Sequence, residues 1–179
     1  MKIKVGDLAF EPMLNYSEIE DRISEIGQEI NRDYVHTTPL FIGVLSGSFM
    51  FLADLMKTVS IPAEITFVKL ASYEGDKRTG QIALQLGLTV SISGRDIVVV
   101  EDIVDSGHTL SYLLKMLQHE NAKSITICSL LYKPEACQHK FKALKYVGFE
   151  IPNDFVVGYG LDYNGLGRNL KDIYRLAGN

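Results

Sequence analysis

The feature that most constrains the fold is a change of periodicity near the middle of the chain. Residues 97–100 (Ile-Val-Val-Val) are an unbroken β-branched run, which favours a buried strand. After a polar turn, leucines at positions 110, 113, 114 and 117 recur at the spacing of one helix face. The segment therefore predicts a strand, a tight turn and a helix, in that order.

Other segments repeat this alternation. Isoleucines at positions 19, 23, 26 and 30 predict a helix that begins at a capping box of Ser17 and Glu20. A second helix is expected over residues 49–57, and further strands over residues 40–45, 65–70, 124–131, 146–149 and 155–158. Such alternation predicts an α/β fold with a mainly parallel sheet core flanked by helices, in one domain of residues 1–179.

Charge and hydropathy disfavour several classes of protein. The chain has 18 lysines and arginines against 22 aspartates and glutamates, a formal net charge of −4, which disfavours binding to nucleic acid or to an anionic membrane. No apolar stretch approaches the roughly 18 residues of a membrane-spanning helix. Cys128 and Cys137 form no C-x-x-C pair and are expected to be buried thiols, and the four histidines lack metal-ligand spacing. We expect a cytoplasmic protein that binds small molecules.

The turn after residue 100 is the most informative candidate site, because ligands of parallel sheets collect where strands end. Glu101 and Asp102 stand side by side there, and residues 105–109 (Asp-Ser-Gly-His-Thr) offer successive backbone N–H groups, hydroxyls and a helix N-terminus. That turn suits one phosphate group, whereas the acids suit sugar hydroxyls or a divalent cation. A sugar phosphate satisfies both halves, although acids that merely cap a strand–helix turn remain an alternative.

Nucleotide-binding loops of the common types are absent from the sequence. The chain contains neither G-x-x-x-x-G-K-[ST] nor G-x-G-x-x-G, which disfavours an ATPase or an NAD-dependent enzyme.

Residues 98–109 resemble the phosphoribosyl-pyrophosphate binding motif of the type I phosphoribosyltransferases. The resemblance extends over most of the chain and is closest to the hypoxanthine (hypoxanthine-guanine) phosphoribosyltransferases, through residues 44–48, 72–73, 129–133 and 155–163. It implies a purine-salvage enzyme that converts hypoxanthine or guanine to IMP or GMP and releases pyrophosphate. It also implies the type I fold, with a small hood formed by the N-terminal segment and the C-terminal strands.

The resemblance implies roles for the residues of the central turn. Glu101 and Asp102 would hold the ribose hydroxyls, with Mg²⁺ bridging the diol and the pyrophosphate. Asp105 would exchange a proton with N7 of the purine. The 5′-phosphate would lie on the residues of the turn, which are Asp105, Ser106, Gly107, His108 and Thr109.

Further roles are implied for the purine side of the site. Lys133 would donate to the 6-oxo group of the base, Phe155 would stack on the ring, and the Val156 main chain would contact its edge. Asp162 would lie beside the purine and hold a second Mg²⁺.

On the pyrophosphate side the resemblance implies contacts from Ser46, Gly47 and Arg168, and a closing loop that includes Ser72 and Tyr73. Two positions depart from the pattern. Many relatives carry lysine where this chain has Ser46, and some carry a polar or basic residue where it has Ala71. One cationic contact to pyrophosphate is therefore expected to be missing.

The resemblance also bears on assembly and on competing functions. It implies a homodimer or homotetramer. A preference for xanthine or another 6-oxopurine is a nearby alternative. A non-catalytic regulator on the same fold, which senses nucleotide or phosphoribosyl pyrophosphate and binds RNA, is a second, but the chain lacks the basic cluster that RNA binding favours.

Overall fold

The computed structural model describes the backbone of residues 1–73 and 81–178, and the side chains of these residues except 71–73 and 81–83. The strands are β1 (Ile3–Val5), β2 (Leu8–Leu14), β3 (Leu40–Leu45), β4 (Glu64–Tyr73), β5 (Gln81–Leu86), β6 (Asp96–Val104), β7 (Ser124–Tyr132), β8 (Leu144–Glu150), β9 (Val156–Val157) and β10 (Ile173–Leu176). The helices are α1 (Tyr16–Asp33), α2 (Phe49–Thr58) and α3 (His108–His119).

A six-stranded sheet forms the centre of the protein, with strand order β5-β4-β3-β6-β7-β8. Every pair is parallel except β4 with β5, which is antiparallel. Because the strands alternate their side chains, Phe41 and Val98 pack with α1 and α2 on one face, while Ile42 and Val99 pack with α3 on the other. The expected fold class, a mainly parallel sheet covered by helices, is confirmed.

A second, antiparallel sheet has the strand order β1-β2-β10-β9 and joins the two ends of the chain. Phe10 and Val157 are fully buried in its small core. Val156 and Ile173 pack instead against the core of the central sheet. The two sheets therefore share packing, and β9 leads directly into the segment that borders the site described below.

Several element boundaries differ from the sequence prediction. The N-cap of α1 is Asn15, whose side chain accepts from Glu18 N at 3.1 Å while Glu18 returns a bond to Asn15 N at 2.9 Å. The capping box therefore lies two residues before the predicted one. Strand β6 continues to Val104, so the paired acids lie within the strand and not in a turn after it. Strands β1, β2, β5 and β10 were not predicted.

Other predictions have mixed outcomes. Ser72 and Tyr73 were expected in a loop, but their backbone extends β4 and pairs with β5, while residues 74–80 of that loop lie outside the described residues. Cys128 is buried as expected, whereas Cys137 is only partly buried, and both are free thiols. Within the described ranges, no helix combines the length and apolar character needed to cross a bilayer.

Candidate active site

A cavity of about 510 Å³ opens at the carboxyl ends of β3, β4 and β6. Because the carboxyl ends of parallel strands lie at the same edge of the sheet, turns that are distant in sequence meet there. Most of the residues singled out from the sequence line it, namely Ser46, Gly47, Glu101, Asp102, Asp105, Ser106, Gly107, Thr109, Asp162 and Arg168. The lining does not include His108, Lys133, Phe155 or Val156.

The turn between β6 and α3 has the geometry of an anion site. Gly107 is the N-cap of α3 with φ 82° and has no side chain that could cap the helix. Ser106 Oγ accepts only a long bond from His108 N, at 3.5 Å, so the start of α3 still offers N–H groups to a ligand. A Cβ at Gly107 would come within 2.8 Å of the Phe141 ring and 3.3 Å of Cys137 Sγ. The turn therefore requires glycine for two reasons, its left-handed backbone and the side chains packed behind it.

His108 lies in the same turn but is not one of the residues that line the cavity. Its Nδ1 lies 3.0 Å from Ser106 Oγ, and its ring stands edge-on to that of His139, with centroids 5.2 Å apart. His108 is the first residue of α3, so its N–H is one of those at the start of the helix.

The paired acids lie deep at the base of the cavity. Glu101 is buried, and burial together with the neighbouring Asp102 raises the pKa of its carboxyl well above the ordinary value. Burial also raises the pKa of Asp102 to about 6, although hydrogen bonding from Ile103 N, at 2.9 Å, opposes the shift. Gly47 lies directly against Asp102, because a Cβ at position 47 would overlap the Asp102 carboxylate. These acids favour a ligand that supplies hydroxyl donors or positive charge.

Lys133 meets Asp105 at the turn of residues 105–109, which we call the phosphate turn after its predicted ligand. The Lys133 side chain is buried, and its Nζ donates to Asp105 Oδ2 at 2.8 Å. Backbone pairing fixes the position of this lysine, since Lys133 N donates to Val104 O at 3.0 Å. A buried ammonium needs a counter-charge, and Asp105, which is half exposed, supplies it.

Asp162 and Arg168 both line the cavity and form an ion pair. Arg168 Nη2 lies 2.6 Å from Asp162 Oδ1, and Arg168 Nη1 donates to Gly160 O at 2.6 Å. The second oxygen of Asp162 accepts from Gly165 N at 2.7 Å. Both carboxylate oxygens of Asp162 therefore have partners within the chain.

Phe155 presents an exposed aromatic face near the start of β9. Its ring is 43% exposed and is supported from behind by Phe10, at a centroid distance of 6.1 Å, and by Tyr163 at 5.8 Å. Val156 is buried in β9, and its backbone pairs with Arg175 of β10. An aromatic ring that is fixed on one side and open on the other can stack on a planar ligand.

Lys69 is a cavity residue that was not predicted from the sequence. It lies near the carboxyl end of β4, in register with Leu45 of β3, and its side chain is exposed. The rule that ligands bind where parallel strands end could have found it, had the end of β4 been considered with the other turns.

The peptide bond between Leu45 and Ser46 is cis, which the sequence did not decide. The side chains of Ser72 and Tyr73 lie outside the described part of the chain.

Comparison with known proteins shows the family. Residues 14–164 match the model of the phosphoribosyl transferase domain. The chain is 43% identical over 162 residues to the hypoxanthine-guanine phosphoribosyltransferase of Bacillus subtilis, covering 90% of this chain and 89% of that protein. It is 42% identical over 162 residues to the bifunctional protein TilS/HprT of Listeria monocytogenes, and spans only 25% of that longer protein while 90% of this chain is covered.

A solved structure agrees with the sequence relatives. The hypoxanthine phosphoribosyltransferase of Trypanosoma cruzi, solved in complex with the product IMP, superposes with a TM-score of 0.86 at 37% identity, covering 93% of each chain.

Proposed function

The chain belongs to the phosphoribosyltransferase family, and we propose that it transfers the 5-phosphoribosyl group of phosphoribosyl pyrophosphate to hypoxanthine or guanine, giving IMP or GMP and pyrophosphate. The observation that carries this proposal is the contact between Lys133 and Asp105, 2.8 Å apart, beside the phosphate turn. It provides a donor for a 6-oxo group and a proton acceptor within reach of one purine ring. The names of the Bacillus subtilis and Trypanosoma cruzi relatives support the same reaction.

The ribose 5-phosphate fits the turn between β6 and α3. The N–H groups at the start of α3 and the hydroxyls of Ser106 and Thr109 can bind the phosphate oxygens. Glu101 and Asp102 lie near the end of β6 and line the same cavity, where they can accept hydrogen bonds from the ribose hydroxyls. Such bonds offset the cost of keeping these carboxylates buried.

The 6-oxopurine fits between Lys133 and Phe155. The buried Lys133 ammonium can donate hydrogen bonds but cannot accept them, so it favours a 6-oxo group, which accepts, over a 6-amino group, which donates. Phe155 supplies the stacking surface, and its own packing against Phe10 and Tyr163 fixes that surface in place.

The carboxylates of the cavity suit Mg²⁺ only when the substrate supplies some of the oxygen ligands. Within the described residues, no three acidic, histidine or cysteine side chains converge on a possible metal position. The buried Glu101 and the partly buried Asp102 have hard carboxylate oxygens and raised pKa values, which a divalent cation would lower again. Mg²⁺ bound there with the ribose diol would neutralise pyrophosphate as it leaves. A second ion at Asp162 would have to displace Arg168 or the Gly165 N–H from it.

The chemistry assigned to the chain is proton transfer and charge stabilisation. In the reaction, N9 of the base forms a bond to C1′ of the ribose while the bond from C1′ to pyrophosphate breaks. Asp105 accepts the N7 proton that the base loses. Carboxylates near the ribose stabilise the positive charge that develops on C1′ and the ring oxygen. Arg168 and the amides of residues 46–47 bind the departing pyrophosphate.

No observation favours the alternative of an RNA-binding regulator, and the proteins compared above are named as enzymes. The cytoplasm and a homodimer or homotetramer are the setting we propose, on the strength of the family resemblance. The two free thiols are consistent with a reducing compartment.

The test is a set of steady-state rates with phosphoribosyl pyrophosphate, Mg²⁺ and each of hypoxanthine, guanine, xanthine and adenine. We expect turnover of hypoxanthine and guanine and none of adenine. Transfer to no purine would overturn the enzymatic function, and efficient transfer to adenine would overturn the role of Lys133.

A further inference from the structure

The segment that leads to Arg168 contains three consecutive residues with left-handed backbone: Gly158 (φ 101°), Tyr159 (φ 49°) and Gly160 (φ 98°). Two of them are glycines, which adopt this conformation readily, but the middle one is a tyrosine, which does not. A large side chain kept in an unfavourable backbone conformation must be held by its contacts. Tyr159 is fully buried, so those contacts lie inside the protein.

Tyr159 is held by helix α2. Its hydroxyl donates to Asp54 Oδ2 at 2.5 Å, and the other Asp54 oxygen accepts from Lys57 Nζ at 2.6 Å. Burial and the neighbouring carboxylate raise the pKa of the Tyr159 hydroxyl, so it remains a donor at any physiological pH. Helix α2 begins at Phe49, immediately after the Ser46–Gly47 turn that lines the cavity.

The next residue, Gly160, touches both elements expected to bind pyrophosphate. A Cβ at Gly160 would overlap the carbonyl oxygen of Gly47, so the two backbones are in direct contact. Gly160 N donates to Arg168 O at 3.0 Å, and Gly160 O accepts from Arg168 Nη1 at 2.6 Å. The position of the Gly160 peptide therefore sets the distance between the Arg168 guanidinium and the Ser46–Gly47 turn.

We propose that Tyr159 is a positioning residue for pyrophosphate, because its hydrogen bond to Asp54 holds Arg168 and the Ser46–Gly47 turn as one unit across the cavity. This inference rests on the proposed function and adds to it the residue pair that organises the pyrophosphate side. Neither Tyr159 nor Asp54 lines the cavity, so both act through the residues that they hold. The purine contact at Lys133 follows β7 and should not depend on the pair. Phe155 lies four residues before Tyr159, but its ring is held by Phe10 and Tyr163.

The chain offers a matched control for the tyrosine hydroxyl. Tyr146 is also fully buried and donates to an aspartate, Asp33, at 2.6 Å, but it lies on β8 and does not line the cavity. The variants Y159F and Y146F each delete one buried hydroxyl and should lose similar stability. Only Y159F should raise the KM for phosphoribosyl pyrophosphate, by about tenfold, while the KM for hypoxanthine changes by less than about twofold.

A second pair of variants covers the case in which Y159F fails to fold. D54N keeps an oxygen that can accept from Tyr159, whereas D54A does not, so D54N should restore most of the affinity that D54A loses. Equal effects of Y159F and Y146F, equal effects of D54N and D54A, or a parallel rise in both KM values would overturn the inference.

Direct binding separates this inference from the proposed function. The affinity of each variant for pyrophosphate with Mg²⁺ is measured by calorimetry, which requires no turnover. We expect Y159F to bind pyrophosphate about tenfold more weakly than wild type and Y146F to bind it equally well. If the wild type transfers no phosphoribosyl group, the proposed function fails, and these affinities still decide the role of Tyr159. Absence of pyrophosphate binding by the wild type would overturn this inference, whereas the proposed function is decided by transfer alone.

Discussion

Lys133 Nζ lies 2.8 Å from Asp105 Oδ2, although the two residues are 28 positions apart and follow different strands of the central sheet. In the free protein each charge compensates the other. A 6-oxopurine that binds against both side chains would accept a hydrogen bond from the lysine through O6 and give a proton to the aspartate from N7. The same contact can therefore serve to select the base and to start the reaction.

Substitution of Asp105 by asparagine should lower kcat far more than it weakens substrate binding. Asparagine keeps the size and an acceptor oxygen but cannot take up a proton, so we expect kcat to fall about 100-fold while both KM values change little. Steady-state kinetics with hypoxanthine measure the effect, and D21N, at an exposed position on α1, is the control. An equal loss in affinity and turnover would assign Asp105 to binding alone.

Replacement of Lys133 by methionine should weaken discrimination between purines. Methionine fills much of the same buried volume without the ammonium, so kcat/KM for hypoxanthine should fall about 10- to 100-fold, the loss expected for a buried charged donor to the base. The rate with adenine should not fall. The measurement is the ratio of kcat/KM for hypoxanthine and adenine in wild type and K133M, and an unchanged ratio would contradict the assignment. K145M removes a lysine that pairs with Asp33 and does not line the cavity, and it serves as the control.

The sequence predicted the central sheet well because its buried strands carry strong local signals. The apolar runs of β3 and β6 and the isoleucines of α1 can hardly be accommodated in another way. Strand β10 is short and pairs with β2 only because the two chain ends meet, and no local pattern encodes that pairing. Strands β1 and β2 form a hairpin around Gly6 and Asp7, but their short length and mixed polarity give only a weak strand signal.

The site residues also differ in how well the local sequence identifies them. The phosphate turn is contiguous, so its residues could be named from the sequence. Pairing of Lys133 with Asp105 depends on a tertiary contact between segments that follow different strands. Arg168 and Gly160 are only eight residues apart, but their contact depends on an irregular loop that carries no periodic pattern. Lys69 carries no local signal apart from its place near the end of β4.

Substitution of Gly107 by alanine should weaken binding of the 5′-phosphate. The new Cβ would press on the Phe141 ring, 2.8 Å away, and shift the turn whose N–H groups would hold the phosphate. We expect the Kd for IMP to rise at least about tenfold, measured by calorimetry. Gly94 has a similar backbone (φ 70°) with no atom within 4 Å of an added Cβ. G94A therefore carries the backbone strain without the clash, and the same loss of IMP affinity in G94A would refute this account of the turn.

The raised pKa of the partly buried Asp102 carboxyl should make D102N more stable than wild type at neutral pH. The native pKa of Asp102, about 6, exceeds its ordinary value of 3.8, so the native state binds more protons than the unfolded state between these values. Its contribution to the free energy of unfolding therefore falls as pH rises from about 4 to 6. The advantage of D102N should be small below pH 4 and reach roughly 2–3 kcal/mol above pH 6.5. Urea denaturation of both proteins across this range measures it, and a difference that does not vary with pH would contradict the shift.

Affinity for phosphoribosyl pyrophosphate should collapse when Mg²⁺ is removed. The chain has a net charge of −4, and Arg168, one of the cations lining the cavity, is already paired with Asp162. The turn at Ser46 and Gly47 offers no cationic side chain, so neutralisation of pyrophosphate depends largely on the divalent cation. We expect a chelator to raise the Kd for phosphoribosyl pyrophosphate at least about 100-fold in calorimetry. IMP is the internal control, because its single phosphate would be held by the N–H groups of the turn, and its Kd should change by less than about fivefold. Equal sensitivity of the two ligands would mean that the cation acts on the whole site, and an unchanged Kd for phosphoribosyl pyrophosphate would mean that backbone amides and Arg168 alone bind it.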